Sequence, residues 1–544
     1  MIGGAVNATA PFAGTLCSVR TLYRNARVHS AAVPDATALL VDGEVISWIG
    51  DDASTGTDAE VRTVDLHGAF VTPAFVDAHV HATATGLALT GLDLSGAAGL
   101  AEALSRVERA ARSGRGRPIL GTGWDESAWP EGRPPSRAEL DRASYGGSVY
   151  LSRVDAHSAA ISSSLAVAVD GLAGLPGYAA DGPLTGAAHD AVRTAAFGAL
   201  GAGQIRDAQR AALEHAASLG IACVHEMAGP AISSADDLAG LLALAAEEPV
   251  AEVIGYWGEL FGVDTALELG AIGAGGDLFC DGSLGSHTAA LHEPYADRPG
   301  TSGALRFSTD DVAEHILRCI RSGLQAGFHA IGDAAVDQIL DAVDLVTARI
   351  GRAGGAGHRI EHAELVRDPR RLAASGLLAS VQPGFDAAWG GADGMYARRL
   401  GPARAGQLNR FGELAAVGVP LAFGSDAPVT PLGPWAAVRA AAHPSDPDAA
   451  ISVRSAFAAH TRAGWRAAGR DGGVLAPGAV ATFAIWRAGE LGVDAPDERV
   501  ARWSTDPRAA VPSLPDLAPG PELPTCVATI LRGEPIFGTG LDTR

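Results

Sequence analysis

Phe75-Val76-Asp77-Ala78-His79-Val80-His81 is the stretch on which the reading of this chain turns. It continues Val71-Thr72-Pro73-Ala74, so an apolar and β-branched run ends on two histidines two positions apart. In a strand, residues i and i+2 point to the same face, and both imidazoles can reach one ion. Alone, His-x-His is a weak signal. Four further segments close in a similar way: Leu278-Phe279-Cys280-Asp281, Phe328-His329-Ala330, Arg359-Ile360-Glu361-His362 and Phe423-Gly424-Ser425-Asp426. A parallel barrel gathers the carboxyl ends of its strands at one mouth, where active sites are built. Residues spread over about 350 positions can meet there on a divalent ion.

The middle of the chain alternates short apolar runs with Ala/Leu-rich helical stretches, the βα pattern of a parallel sheet. Eight strands are expected: Phe75–His79, Ile221–His225, Val250–Tyr256, Leu278–Asp281, Gln325–His329, Arg359–His362, Leu378–Gln382 and Pro420–Ser425. Most gaps between them suit one strand, one helix and their loops. The gap from 83 to 205 is far too long for that and holds strand-like runs of its own, Pro118–Gly123 and Ser148–Arg153. It is predicted to form an insert over the barrel mouth. Near the N-terminus, Ala38–Val41 leads through Asp42-Gly43 into Val45–Ile49, a hairpin signal. Ala479–Trp486 and Cys526–Leu531 have similar chemistry, so one small β-domain assembled from both ends is expected.

Composition narrows the classes. The 544 residues are 47% hydrophobic, enough for a large core and more than one domain. A formal charge of −21 argues against nucleic acid or an anionic membrane surface as partner. The five cysteines form no Cys-x-x-Cys pair, so neither a disulfide framework nor a structural zinc ribbon is expected. Met1–Ala13 lacks the pattern of a signal peptide, and no apolar run is long enough to span a bilayer, which points to a cytoplasmic protein. A small-molecule substrate is the expected partner, and a homodimer is compatible with these features. All 41 Lys+Arg residues are arginine, which excludes any lysine-based chemistry. No Gly-x-Ser-x-Gly elbow and no dinucleotide fingerprint opening a strand–helix unit is present.

His79, His81, His329, His362 and Asp426 are therefore the candidate ligands of a divalent metal. Asp426 is also a candidate catalytic proton acceptor, with His329 and His362 either ligating or orienting water and oxyanion. Trp124, Trp129, Trp257 and Trp389 fall in predicted mouth loops or the insert and either contact substrate or dock the insert onto the barrel, and His157 and His287 either contact substrate or close the polar network.

These positions resemble the amidohydrolase superfamily. The further motifs Gly123-Trp124-Asp125-Glu126, Asp155-Ala156-His157-Ser158, Asp281-Gly282-Ser283-Leu284-Gly285-Ser286, His329-Ala330-Ile331-Gly332-Asp333 and Val381-Gln382-Pro383 look like the branch of the N-substituted formamide deformylases. The resemblance implies an α/β fold: a (β/α)8 TIM-like barrel with a composite β-sandwich. Residues 1–72 and 472–544 would form the sandwich, and 73–471 the barrel with its insert at 83–205. It also implies zinc and hydrolysis of amide-like C–N bonds, such as those of an N-substituted amide or formamide, by metal-activated water. Gln382 joins the candidate substrate contacts on the same ground. Two other readings share the pattern: a hydrolytic deaminase of a cyclic amidine or ring amine, and a non-catalytic regulatory or binding homologue.

One position departs from the family. Many relatives place a lysine shortly before the Asp-Gly of the fourth strand, and in binuclear members it is carbamylated to bridge two ions. Here that position is Asp277, a further candidate ligand. Its side chain is much shorter than a carbamylated lysine, so one ion is favoured over two. Since no lysine exists to carbamylate, metal reconstitution should yield the same activity with and without bicarbonate. A bicarbonate-dependent gain in a reconstitution assay would contradict this.

Overall fold

The computed structural model describes residues 20–54, 61–114, 116, 118–351, 354–492 and 512–538. The expected terminal β-pieces therefore lie partly outside the described residues, at 1–19, 55–60, 493–511 and 539–544, and Met1–Ala13 wholly so.

Eight parallel strands form one sheet. In chain order they are β1 (Phe75–Val80), β2 (Ile221–Ala228), β3 (Glu252–Trp257), β4 (Gly273–Ala274), β5 (Gln325–Ala330), β6 (Arg359–His362), β7 (Leu378–Val381) and β8 (Leu421–Phe423). Every residue of β1 and of β2 is buried, as expected of parallel strands covered on both faces. The sheet closes into a barrel where β8 returns to β1: Val80 bridges Ala427, and the Asp426 N–H donates to His79 O at 2.8 Å. That closure needs Gly424. A Cβ there would lie 2.6 Å from His79 N and 2.7 Å from His79 Cβ.

Strand β4 corrects the expectation. Leu278–Asp281 is not the fourth strand; Gly273–Ala274 is. The chain then leaves the extended conformation at Gly275 (φ 147°) and Gly276 (φ 87°). It rejoins β5 only through the bridge of Phe279 with His329. Gly275 is packed so close to β5 that a Cβ would meet Gly327 N at 2.2 Å. This glycine detour sets where Asp277 stands.

After β1, helix Ala82–Thr90 packs on helix Ala202–Ser218 along the barrel flank. Between them lies a mixed five-stranded sheet built from Leu92–Asp93, Ile119–Trp124, Val149–Arg153, Ser158–Ile161 and Leu184–Thr185. It has its own apolar clusters, centred on Trp124, Leu140 and Leu151 on one side and Tyr150, Leu172 and Val192 on the other.

Two sheets pack beneath the barrel. One is wholly N-terminal, with Arg20–Arg24, Ala38–Asp42, Val45–Gly50 and Val61–Asp65. The other interleaves Phe70–Pro73 with the C-terminal strands Phe483–Arg487 and Thr525–Leu531. Leu39, Ile46 and Val64 of the first share a core with Val71, Phe483 and Ile530 of the second. Trp486 joins this layer to the barrel: its Nε1 donates to Thr72 Oγ1 at 2.9 Å, and its ring meets Phe75 edge-on at 5.7 Å. Among the described residues, no helix is long and apolar enough to cross a membrane.

Gly424→Ala should destabilise the protein by about 1–3 kcal/mol, because the added methyl overpacks the closure beside His79. Denaturant unfolding of the variant against wild type measures it, and an unchanged midpoint would show that the closure tolerates a side chain.

Candidate metal centre

Strand ends deliver the site. His79 and His81 stand at the end of β1, His329 in β5, His362 at the end of β6, and Asp426 just beyond β8. His362 (φ 68°) and Asp426 (φ 56°) both hold left-handed backbone conformations, uncommon for residues other than glycine and typical of places where function constrains the chain. All five are buried or nearly so, with only the His81 side chain reaching 12% exposure.

Asp277 lies at the centre of the group. Its Oδ2 is 3.6 Å from His79 Nε2 and 3.2 Å from His81 Nε2. Its Oδ1 is 3.2 Å from His329 Nδ1 and 3.3 Å from His362 Nε2. Asp426 Oδ1 adds contacts of 3.4 Å to His79 Nε2 and 3.1 Å to His81 Nε2. Two ligand-type groups result, His79–His81–Asp277–Asp426 and Asp277–His329–His362, sharing Asp277. Although an aspartate side chain is short, that of Asp277 lies against both groups. The glycine detour after β4 brings its backbone to the mouth, so a short side chain suffices.

Each imidazole is held from behind. His79 Nδ1 faces Glu361 Oε2 at 2.9 Å, His81 Nδ1 faces Met227 O at 3.0 Å, and His362 Nδ1 faces Gln382 Oε1 at 2.8 Å. His329 is reversed, with Nε2 at 3.2 Å from Gly282 O. These partners are acceptors, so each ring places its N–H there and keeps a lone pair on the other nitrogen. Those four lone pairs all face carboxylate oxygen. A lone pair against an anion is repulsive unless a metal ion or, in its place, a proton intervenes. His79 Nε2 and Asp426 Oδ1 are moreover buried without any hydrogen-bond partner. The donor set therefore fits a divalent metal bound by nitrogen and oxygen, as zinc is.

The electrostatics agree. Burial disfavours protonated His81, yet hydrogen bonds to Asp277 and Asp426 and their charges outweigh it and raise its pKa to about 9. His79 is raised for the same opposing reasons. Burial would raise the carboxyl of Asp277, but the charge of His79 when protonated and the ring nitrogens of His329 and His362 beside it hold it well below the usual carboxylate range. The cavity is built for positive charge.

The other sequence-predicted residues divide. His157 reaches the site from the insert: its ring lies 5.1 Å from that of His329, its Nδ1 is 2.6 Å from Asp155 O, and its Nε2 is buried and unpartnered. Burial, followed by the neighbouring His329 charge, lowers its pKa to about 4, so it is a neutral ring offering a lone pair. Trp389 lines a small cavity that also includes His362 and Asp426. Gln382 orients His362 from behind the ligand set. Trp124 is not at the site; its indole is fully buried in the insert and donates to Leu151 O at 2.8 Å. Trp257 donates to Glu259 Oε2 at 2.7 Å and packs in the barrel core. His287 pairs with Asp297 at 3.0 Å on a different, open cleft. Asp281, at the end of one motif segment, accepts the backbone N–H groups of Ile331, Ala290 and Gly332, so its oxygens brace loops and it belongs to neither ligand group.

Sequence reasoning assigned no role to Glu361 and Arg359. Glu361 is the carboxylate behind His79, and Arg359 Nε and Nη2 hold it at 2.5 Å and 2.9 Å. Their i, i+2 spacing on β6 was the available signal.

The amidohydrolase family profile matches residues 62–537. The protein LONG AFTER FAR-RED 3 of Arabidopsis thaliana is 30% identical over 466 residues, covering 78% of each chain. The N-substituted formamide deformylase of Arthrobacter pascens is 25% identical, covering 82% of this chain and 88% of its own. Among solved structures, an uncharacterized metal-dependent hydrolase of Pyrococcus furiosus has a TM-score of 0.67 at 30% identity, covering 86% of this chain and 98% of that one.

Glu361→Gln removes the charge that orients His79 and should weaken metal binding by roughly 10–100-fold. Competition with a chromogenic chelator measures it, and an unchanged affinity would remove Glu361 from the support of the site.

Proposed function

Since the chain belongs to the amidohydrolase family, a family of hydrolases, we propose that it hydrolyses an N-substituted amide or formamide at the C–N bond. The observation that carries the reading is the convergence of four imidazole lone pairs and two carboxylates at the barrel mouth. His79, His81, Asp277 and Asp426 would hold a primary ion, zinc by its donor set, with His329 and His362 a weaker second position through Asp277. When bound, such an ion polarises a carbonyl and makes water nucleophilic near neutral pH.

The chain's own groups then divide the work. Asp426 Oδ1 makes no hydrogen bond, only the close contacts to His79 and His81, and Asp426 lines the cavity together with His81, Asp277 and His157. It accepts the proton of the attacking water and returns it to the departing nitrogen. His157 Nε2 is an acceptor, suited to the N–H of the scissile amide. The cavity walls are largely apolar, including Leu87, Leu120, Phe197 and Ile232, and they exclude bulk water from the charged groups.

The test is a panel of N-substituted formamides and simple amides offered to the zinc-loaded protein, with amine, acid and ammonia each measured. Amine plus acid supports the proposal; ammonia from ring amines would favour a deaminase instead. His79→Ala/His81→Ala should lose the primary metal, and Asp426→Asn should lower kcat by roughly 100-fold or more. An Asp426→Asn enzyme with unchanged kcat would remove Asp426 from the proton path.

A further inference from the structure

Arg193 stands on the insert helix Gly186–Gly198 and lines the same cavity as His81, Asp277 and Asp426. Its guanidinium donates to three neutral acceptors: Ala156 O at 2.5 Å, Ala231 O at 3.3 Å and the Tyr150 hydroxyl at 3.5 Å. Among the described residues, no carboxylate lies within ion-pair distance of it. Neighbouring arginines differ: the buried Arg153 pairs with Asp125, Glu126 and Asp155, the buried Arg359 with Glu361, and even the exposed Arg306 with Asp190. The Tyr150 hydroxyl is itself engaged with His189, 2.9 Å from its Nε2. The acids of the metal centre are also committed, since Asp277 serves four imidazoles. A cation thus lines a largely apolar cavity with no carboxylate in direct contact: Asp190 and Asp277 act on it only from beyond ion-pair distance, which leaves room for an anion at close quarters.

We propose that Arg193 anchors a carboxylate carried by the substrate, so that the preferred compounds are acidic N-acyl or N-formyl amines rather than neutral ones. Each guanidinium nitrogen uses one N–H within the protein, which leaves one N–H on Nη1 and one on Nη2 to donate to carboxylate oxygens. Leu120, Phe197, Ile232 and Phe279 line the same cavity, so a compact apolar group joins the carboxylate to the scissile bond. This inference deepens the hydrolase reading and rests on it for the position of that bond.

The test compares N-formylphenylalanine, as both enantiomers, with N-formyl-2-phenylethylamine, which lacks only the carboxylate. Zinc-loaded wild type should prefer one enantiomer of the acid. Arg193→Gln should lower kcat/KM for that acid by roughly 30-fold or more, chiefly through KM, and leave the neutral compound within about 3-fold. Arg193→Lys should retain part of the preference. A carboxylate held only by metal would bind equally to wild type and Arg193→Gln, so equal kinetics on the acid would overturn the proposal. So would parallel losses on both compounds, the mark of a purely structural tether between insert and barrel. If Arg193→Gln does not fold, wild type decides: no preference for the acid sinks the subsite. Calorimetric titration with phenylacetate separates the two readings. Arg193-dependent binding without any C–N hydrolysis would leave the subsite standing and the hydrolase reading fallen. Hydrolysis of neutral formamides without any role for Arg193 would do the reverse.

Discussion

Two buried carboxylates, Asp277 and Asp426, face the lone pairs of four imidazoles, and this opposition organises the upper half of the barrel. In water such groups would rotate apart or take up protons. Here they cannot rotate, because each ring is fixed from behind by Glu361, Met227 O, Gln382 or Gly282 O. The site is thus preorganised for a cation, and much of the surrounding structure serves to keep it so. Arg359 holds Glu361 and also donates to Ala78 O and lies against His225, which ties the support of His79 to β1 and β2.

The lower half of the molecule bears on the same point by a different route. Strand β1 follows directly from the Phe70–Pro73 strand of the sandwich, with only Ala74 between them. The chain that sets His79 is therefore anchored at its start by the Trp486–Thr72 contact and at its end by closure against Gly424. The insert completes the cavity from above. Asp155 binds it to the loop after β4, taking hydrogen bonds from Ser283, Ser286 and Arg153, and the same turn presents His157.

Legibility in the sequence followed the physics of each signal. Seven of the eight barrel strands were readable, most because a strand buried on both faces tends to be an apolar run, and Arg359–His362 by its spacing from the strand before it. Of the five candidate ligands, His79, His81, His329 and Asp426 were readable because each follows a short apolar run, and His362, after Arg359-Ile360-Glu361, by its place about one βα unit beyond His329. Strand β4 was missed because Gly273–Ala274 has no apolar run to reveal it, while Leu278–Asp281 has one that packs as loop. Trp124 and Trp257 were misplaced for a related reason. An indole in a motif near the mouth has the same sequence signature whether it faces ligand or core, and here both N–H groups are satisfied inside the protein. Arg193 left no signal because an unpaired cation is defined by what does not surround it, which only the folded structure shows.

The substitution at residue 277 shows how backbone can take over from side-chain length. A carbamylated lysine reaches a bridging position from a regular strand, through a long flexible side chain. This chain has no lysine, and the carboxylate that stands between its two ligand-type groups is that of Asp277. Aspartate has a single methylene, so the main chain has to make the journey. Gly275 and Gly276 allow it, through φ values of 147° and 87° that other residues rarely adopt. Gly327 opposite leaves the space, since Gly275 approaches its backbone too closely for any side chain between them. The glycines and the aspartate are thus one structural device. A lysine placed at 277 on this backbone would overshoot the ligand set, and an aspartate on an unbroken strand would fall short of it.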